Sequence, residues 1–125
     1  MTAVEIVVDC PPGTAPSLAR WWLQVLDGYD VRPYDEEEIA RLAALGLTPE
    51  TDTSVVVDGP GPSVWFTEVP EPKAGKNRVH IDVRVIDRAA RVARLVAAGA
   101  TVSFEDESHT VLLDPADNEL CLADP

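Results

Sequence analysis

Val4-Glu5-Ile6-Val7-Val8-Asp9-Cys10 and Val79-His80-Ile81-Asp82-Val83-Arg84-Val85 carry the same local instruction. Alternate residues are aliphatic (Val4, Ile6, Val8; Val79, Ile81, Val83, Val85), and polar groups stand between them (Glu5, Asp9; His80, Asp82, Arg84). That period of two belongs to a strand with one buried face. An amphipathic helix pattern and a glycine, Gly28 or Gly99, follow each copy, and then a hairpin-like stretch, residues 55–67 and 111–122. The chain therefore reads as strand, helix and several strands, performed twice. Two equivalent polar faces predict a shared cleft between the halves.

In the first half, Leu18, Trp21, Trp22, Val25 and Leu26 fall at helical spacing after a Thr14 or Ser17 cap, with Gly28 as the stop. In the second, Asp87 is the expected N-cap, Val92, Leu95 and Val96 form the apolar side, and Arg88, Arg91 and Arg94 read as a solvated face. Residues 35–52 have no counterpart in the second half. Their acidic start suits a helix N-terminus, and Ile39, Leu42 and Leu45 predict a short inserted helix over about 35–46. It reads either as a lid or as a cap on an open sheet edge. Strands are expected at 54–58, 64–69, 101–104, 109–113 and 119–122, and Asp117-Asn118 makes the last turn.

With 125 residues and 46% hydrophobic composition, one domain spanning 1–125 is expected, large enough for a core of its own. A net charge of -12 would repel nucleic acid and anionic lipid, so neither is an expected partner. No apolar run approaches a membrane span, and no secretory leader is read at the N-terminus. A cytoplasmic protein is the expectation, with Cys10 and Cys121 as free thiols.

Together with this doubled pattern, the segment Val69-Pro70-Glu71-Pro72-Lys73-Ala74-Gly75-Lys76-Asn77-Arg78-Val79-His80-Ile81-Asp82 and the ending Asp114-Pro115-Ala116-Asp117-Asn118-Glu119-Leu120-Cys121-Leu122 resemble the vicinal oxygen chelate superfamily. The resemblance is to its glyoxalase-like, bleomycin-resistance-like branch, and it covers nearly the whole chain apart from residues 35–52. It implies an α+β fold of two βαβββ modules, about 3–69 and 78–123, whose curved mixed sheets surround a cleft, and a homodimer. In metal-using members four side chains project into the cavity. Carried onto this chain, those positions fall on Glu5, Trp65, His80 and Cys121. Trp65 cannot bind a divalent cation, so the four-ligand set is broken at one corner.

Glu5, His80 and Cys121 could still offer an O, N, S site to zinc, iron, nickel or manganese, with Glu119 as a substitute for Cys121. The alternative is a metal-free polar pocket. There, crowding of Glu5, Asp9, Asp82 and Glu119 against His80 and Arg84 is expected to raise a carboxylate pKa. His80 and Asp82, as same-face strand neighbours, would stand about 7 Å apart and not form a dyad. Trp65 on the cleft face could stack on a flat ligand. Lys73, Lys76 and Arg78 could grip an anionic substrate, and for the lysines a dimer-interface pairing is preferred.

The resemblance thus implies a protein that acts on or binds a small organic molecule. As a lyase, isomerase or oxygenase it would use His80, Glu5 and Glu119 as catalytic groups, with Trp65, Asp9, Asp82 and Arg84 holding the ligand. The other reading is a non-catalytic drug- or antibiotic-binding protein, for which carboxylates plus an indole suit a cationic planar compound.

Overall fold

A computed structural model describes residues 1–125 and divides into two compact units, Met1–Pro72 and Lys73–Pro125. The first contains β1 (Glu5–Cys10), α1 (Ala15–Trp22), β2 (Asp30–Val31), α2 (Glu36–Ala44), β3 (Ser54–Asp58) and β4 (Ser63–Glu68). Its sheet has the order β1-β4-β3-β2. The hairpin partners are antiparallel, whereas β1 and β4 are parallel, with Glu5 opposite Ser63 and Cys10 opposite Glu68. The second unit contains β5 (Ile81–Arg84), α3 (Arg88–Ala97), β6 (Thr101–Glu105), β7 (His109–Leu113) and β8 (Glu119–Ala123). Its order is β5-β8-β7-β6, again with the first and last strands parallel. The expected α+β plan of two βαβββ modules with mixed sheets is present, and the insertion lies inside the first module, between β2 and β3.

In the first sheet, side-chain alternation sends Val64, Phe66, Val55 and Val57 to the face covered by α1, and all four are buried. Leu18, Trp21 and Trp22 meet them from the helix: Trp22 lies 6.0 Å from Phe66 and 5.6 Å, edge-on, from Trp21. Both tryptophans are therefore core residues. Regular helix stops at Trp22, earlier than the apolar stripe suggests, because Gln24 and Val25 donate back three residues and tighten the chain. Val25 stays buried all the same. Thr14 is the N-cap residue, one of the two expected, but its side chain accepts no bond from the helix. The Thr14 hydroxyl donates to the Pro11 carbonyl, and the Ala15 N–H is accepted by Glu68 Oε2, at 3.1 Å, from the end of β4.

The second sheet buries Leu112, Leu120 and Leu122 on one face, and Leu95 of α3 is buried with them. Asp87 caps α3 as expected, accepting from the Ala90 N–H. Arg88, read as solvated, is not: its side chain is 13% exposed, and its guanidinium donates to the Asp124 carboxylate, the Thr110 hydroxyl and the carbonyls of Asp106 and Glu107. The β6–β7 turn supplies inward-facing carbonyls, and only a long, many-donor side chain can satisfy them.

Gly59 and Gly61 in the β3–β4 turn accommodate a side chain. The Tyr29 hydroxyl donates to the Pro62 carbonyl at 2.9 Å, and a Cβ added at Gly59 would fall 2.4 Å from the Tyr29 ring. Gly59→Ala is expected to cost about 1–3 kcal/mol through overpacking, read from the urea midpoint. The same change should cost less in a Tyr29→Ala background, and equal costs would show that the ring is not the obstacle.

Candidate functional site

On the face of the first sheet away from α1 stand Glu5 and Asp9 of β1, Trp65 and Thr67 of β4, and Ser54, Val56 and Asp58 of β3. The chain leaves β2 through Arg32, Pro33 and Tyr34 and enters α2, whose first turn is capped by Asp35 Oδ1 accepting from the Glu38 N–H at 2.8 Å. Val56 and Trp65 on the sheet side and Tyr34, Glu37, Glu38 and Arg41 on the insertion side enclose a cleft of about 560 Å³. That volume suits a small organic molecule. The insertion is thus a wall of the cleft, and Leu42 is the buried side chain that anchors it.

Polar groups in this wall are already held in fixed orientations. Tyr34 donates to Asp52 Oδ2 at 2.9 Å, and Asp52, itself buried, accepts the Ser54 N–H on its other oxygen. Burial first, and then the Asp52 carboxylate, pushes the Tyr34 phenol far above its ordinary range, so it serves as a neutral donor. Arg41 makes a two-pronged bond to Glu38 at 2.9 and 2.6 Å, which holds the Glu38 carboxyl below its usual range. Arg32 does the same to Asp58 at 2.7 and 3.0 Å, and its guanidinium carbon lies 5.4 Å from the Trp65 ring centroid. At the ring's polar edge, Trp65 Nε1 donates to Glu5 Oε2 at 3.1 Å.

Trp65 lines this cleft of the first unit. Glu5 shares its sheet face as a partner of the indole, and Asp9 stands farther along the same face of β1. Arg32, Tyr34, Arg41, Glu38, Asp52 and Asp58 were not read as site residues. A signal existed in the alternation of Asp30, Arg32 and Tyr34 around Val31 and Pro33, but a two-residue strand is too short for periodicity to reveal.

The remaining candidates belong to the second unit. His80 Nδ1 and Asp82 Oδ1 are 2.9 Å apart, contrary to the separation expected of strand neighbours. His80 lies just outside β5, so its side chain is free of the strand's parallel geometry. Asp82 is the cross-strand neighbour of Cys121, while Arg84 donates to the Asp124 carbonyl at 3.0 Å. Glu119 accepts from Lys73 Nζ and from the Asn77 N–H, both at 3.0 Å. Burial alone would push its pKa up, but these two donors outweigh it and hold the carboxyl below its ordinary value. The expected raised carboxylate is thus reversed at Glu119, which anchors the 73–77 loop and is a poor proton acceptor. Lys73, expected at a dimer interface, has this partner within its own unit.

The paired sheets, each closing its first strand against its last, define the vicinal oxygen chelate fold. A sequence model of the glyoxalase-like domain matches residues 5–123, and the chain belongs to that family. It is similar in fold to the fosfomycin resistance protein FosX of Mesorhizobium loti, at 12% identity and a TM-score of 0.68, over 99% of this chain and 91% of that one. A gene product of Arabidopsis thaliana aligns at 13% identity and a TM-score of 0.68, over 99% of each chain. A glyoxalase/bleomycin resistance protein/dioxygenase family enzyme of Burkholderia phytofirmans aligns at 16% identity and a TM-score of 0.62, over 96% of this chain and 95% of that one. No curated protein matches the sequence.

The donors that the superfamily would offer to a metal do not fit one within either unit. Glu5 is engaged by an indole and has no imidazole in its unit, since both histidines lie beyond residue 72. In the second unit His80 faces Asp82, and the buried Cys121 thiol lies 3.8 Å from the Leu122 carbonyl. Burial, and then the charge of Asp82, pushes that thiol's pKa up, against the thiolate that a metal requires. Neither unit contains a group of three or more His, Cys, Asp or Glu side chains that could hold a metal ion.

No helix is long and apolar enough to cross a membrane. The Arg32–Asp58 pair generates a pH prediction. Arg32 first, and then the Ser63 hydroxyl, holds the Asp58 carboxyl at about 2, below its ordinary 3.8. A folded value below the unfolded one means that the pair's stabilisation is complete above the unfolded pKa and is lost as pH falls through the folded one. With side chains 46% and 40% exposed, that contribution is small. Carboxyl carbon NMR should show Asp58 titrating near 2 in the wild type and clearly higher in Arg32→Ala, and an unmoved value would remove Arg32 as the cause.

Proposed function

We propose that the protein is a binding member of the glyoxalase-like family, which holds a compact aromatic molecule in the cleft of its first unit without converting it. One observation carries this reading. The cleft combines an indole surface with donors and acceptors locked by one another, a pre-arranged recognition surface with neither imidazole nor thiol in its lining. Trp65 supplies the stacking face, and Tyr34, Arg41 and Asp52 supply the polar edge. Glu119 held ionised and Glu5 bonded to Trp65 are weak candidates for a general base, which favours binding over turnover.

Acid–base catalysis has one observation of its own, the His80–Asp82 pair, in which a carboxylate fixes the orientation of an imidazole. The two readings separate in one assay. The purified protein is titrated calorimetrically with a panel of planar aromatic compounds, with fosfomycin included because it is named for the FosX relatives, and each compound is recovered for mass analysis. Stoichiometric binding of an unchanged compound, weakened about threefold to tenfold by Trp65→Ala and unaffected by His80→Ala, is the expected result. Conversion that disappears in His80→Ala would overturn it.

A further inference from the structure

The aromatic floor of the cleft is already covered by a cation of the protein's own. The Arg32 N–H is bonded to the Val56 carbonyl at 3.0 Å, which fixes where the side chain starts. Its guanidinium reaches over Trp65, with the carbon 5.4 Å from the ring centroid. Its Nε and Nη2 edge is taken by Asp58, and Asp58 is held in turn by the Ser63 hydroxyl at 2.5 Å. At its polar edge the indole is bonded to Glu5. The ring thus lies between two carboxylates with a flat, delocalised cation above it.

The hold on that cation is weak. Both members of the Arg32–Asp58 pair are close to half exposed, and neither an exposed ion pair nor an exposed cation–aromatic contact contributes much. An arrangement so well shaped for a planar cation, yet so loosely filled, is one that a ligand can enter by exchange. Resting on the reading of this cleft as a binding site, we propose that Arg32 is an internal stand-in for the ligand. Its guanidinium occupies the place over Trp65 and beside Asp58 that a planar cationic group of the bound compound takes, and it moves to solvent when that compound enters. The ligand class is then a flat aromatic cation. Glu5 and Asp58 become its counter-charges, and Arg32 sets a ceiling on its affinity.

The test uses two flat probes of nearly equal shape, N-methylacridinium, a fixed cation, and acridine, which is neutral at mildly alkaline pH. Each is titrated by its own fluorescence into the wild type and into Arg32→Ala, an exposed position whose substitution leaves the core untouched. The wild type is expected to prefer the cation. Arg32→Ala should bind both probes more tightly, by about twofold to fivefold, the range an exposed cation–aromatic contact supports. Tightening of the cation alone would mean that only a repelling charge was removed, and it would overturn the stand-in role. Unchanged or weakened binding of both would overturn it too, as would a wild-type preference for acridine. If folded wild type and folded variant both fail to bind either probe, the cleft is not a site for flat aromatics. In that case the reading on which this inference rests fails with it, an outcome distinct from all the others because wild-type binding is itself lost.

Discussion

β1 runs beside β4 in parallel, as β5 does beside β8, and a parallel pair cannot be closed by a tight turn. Each unit must therefore carry its chain over one face of the sheet and return through antiparallel strands before the last strand reaches the first. α1 and α3 are those crossings, and they cover one face. The opposite face is left uncovered by that helix. In the first unit that face carries Glu5, Trp65, Val56 and Asp58, so the placement of the candidate site follows from the strand pairing.

The repeat was legible because it is written in alternation. Ile6 and Val8 are half-buried while Glu5 and Asp9 are exposed, and the pattern recurs at Ile81 and Val83 against Asp82 and Arg84. The inserted helix was legible too, since Asp35 caps it and Leu42 anchors it. Long-range polar pairing was not. Glu68 capping α1 across 53 residues, Arg88 collecting carbonyls from the β6–β7 turn and Glu119 fastening the 73–77 loop leave no periodic trace. The site divides along the same line. Trp65 followed from the family resemblance, whereas Arg32 and Tyr34 reach the cleft only because a two-residue strand pairs with β3 and turns the chain back over the sheet.

Charge in the cleft is organised by pairing. Arg41 with Glu38 and Tyr34 with Asp52 each fix a donor by its own acceptor. Such pairs contribute little to stability where they are exposed, but they narrow the orientations open to each group and so lower the ordering cost of binding. At Glu38 the pairing opposes proton transfer, because a carboxylate held ionised by its partner is a weaker base. Preorganisation and acid–base reactivity compete for the same side chains here.

Six of the eight residues of α1 are buried, whereas α2 buries only Leu42. The two helices thus differ in how they open. Amides of α1 are expected to exchange with solvent only when the unit unfolds as a whole, while those of α2 exchange through local detachment of a helix held at one point. The sheet wall of the cleft is backed by α1 on its other face, whereas the facing wall is α2, the labile helix. Occupancy should therefore be recorded as slowed hydrogen exchange along α2, at amides such as Ile39 to Leu42 that need not touch the bound molecule.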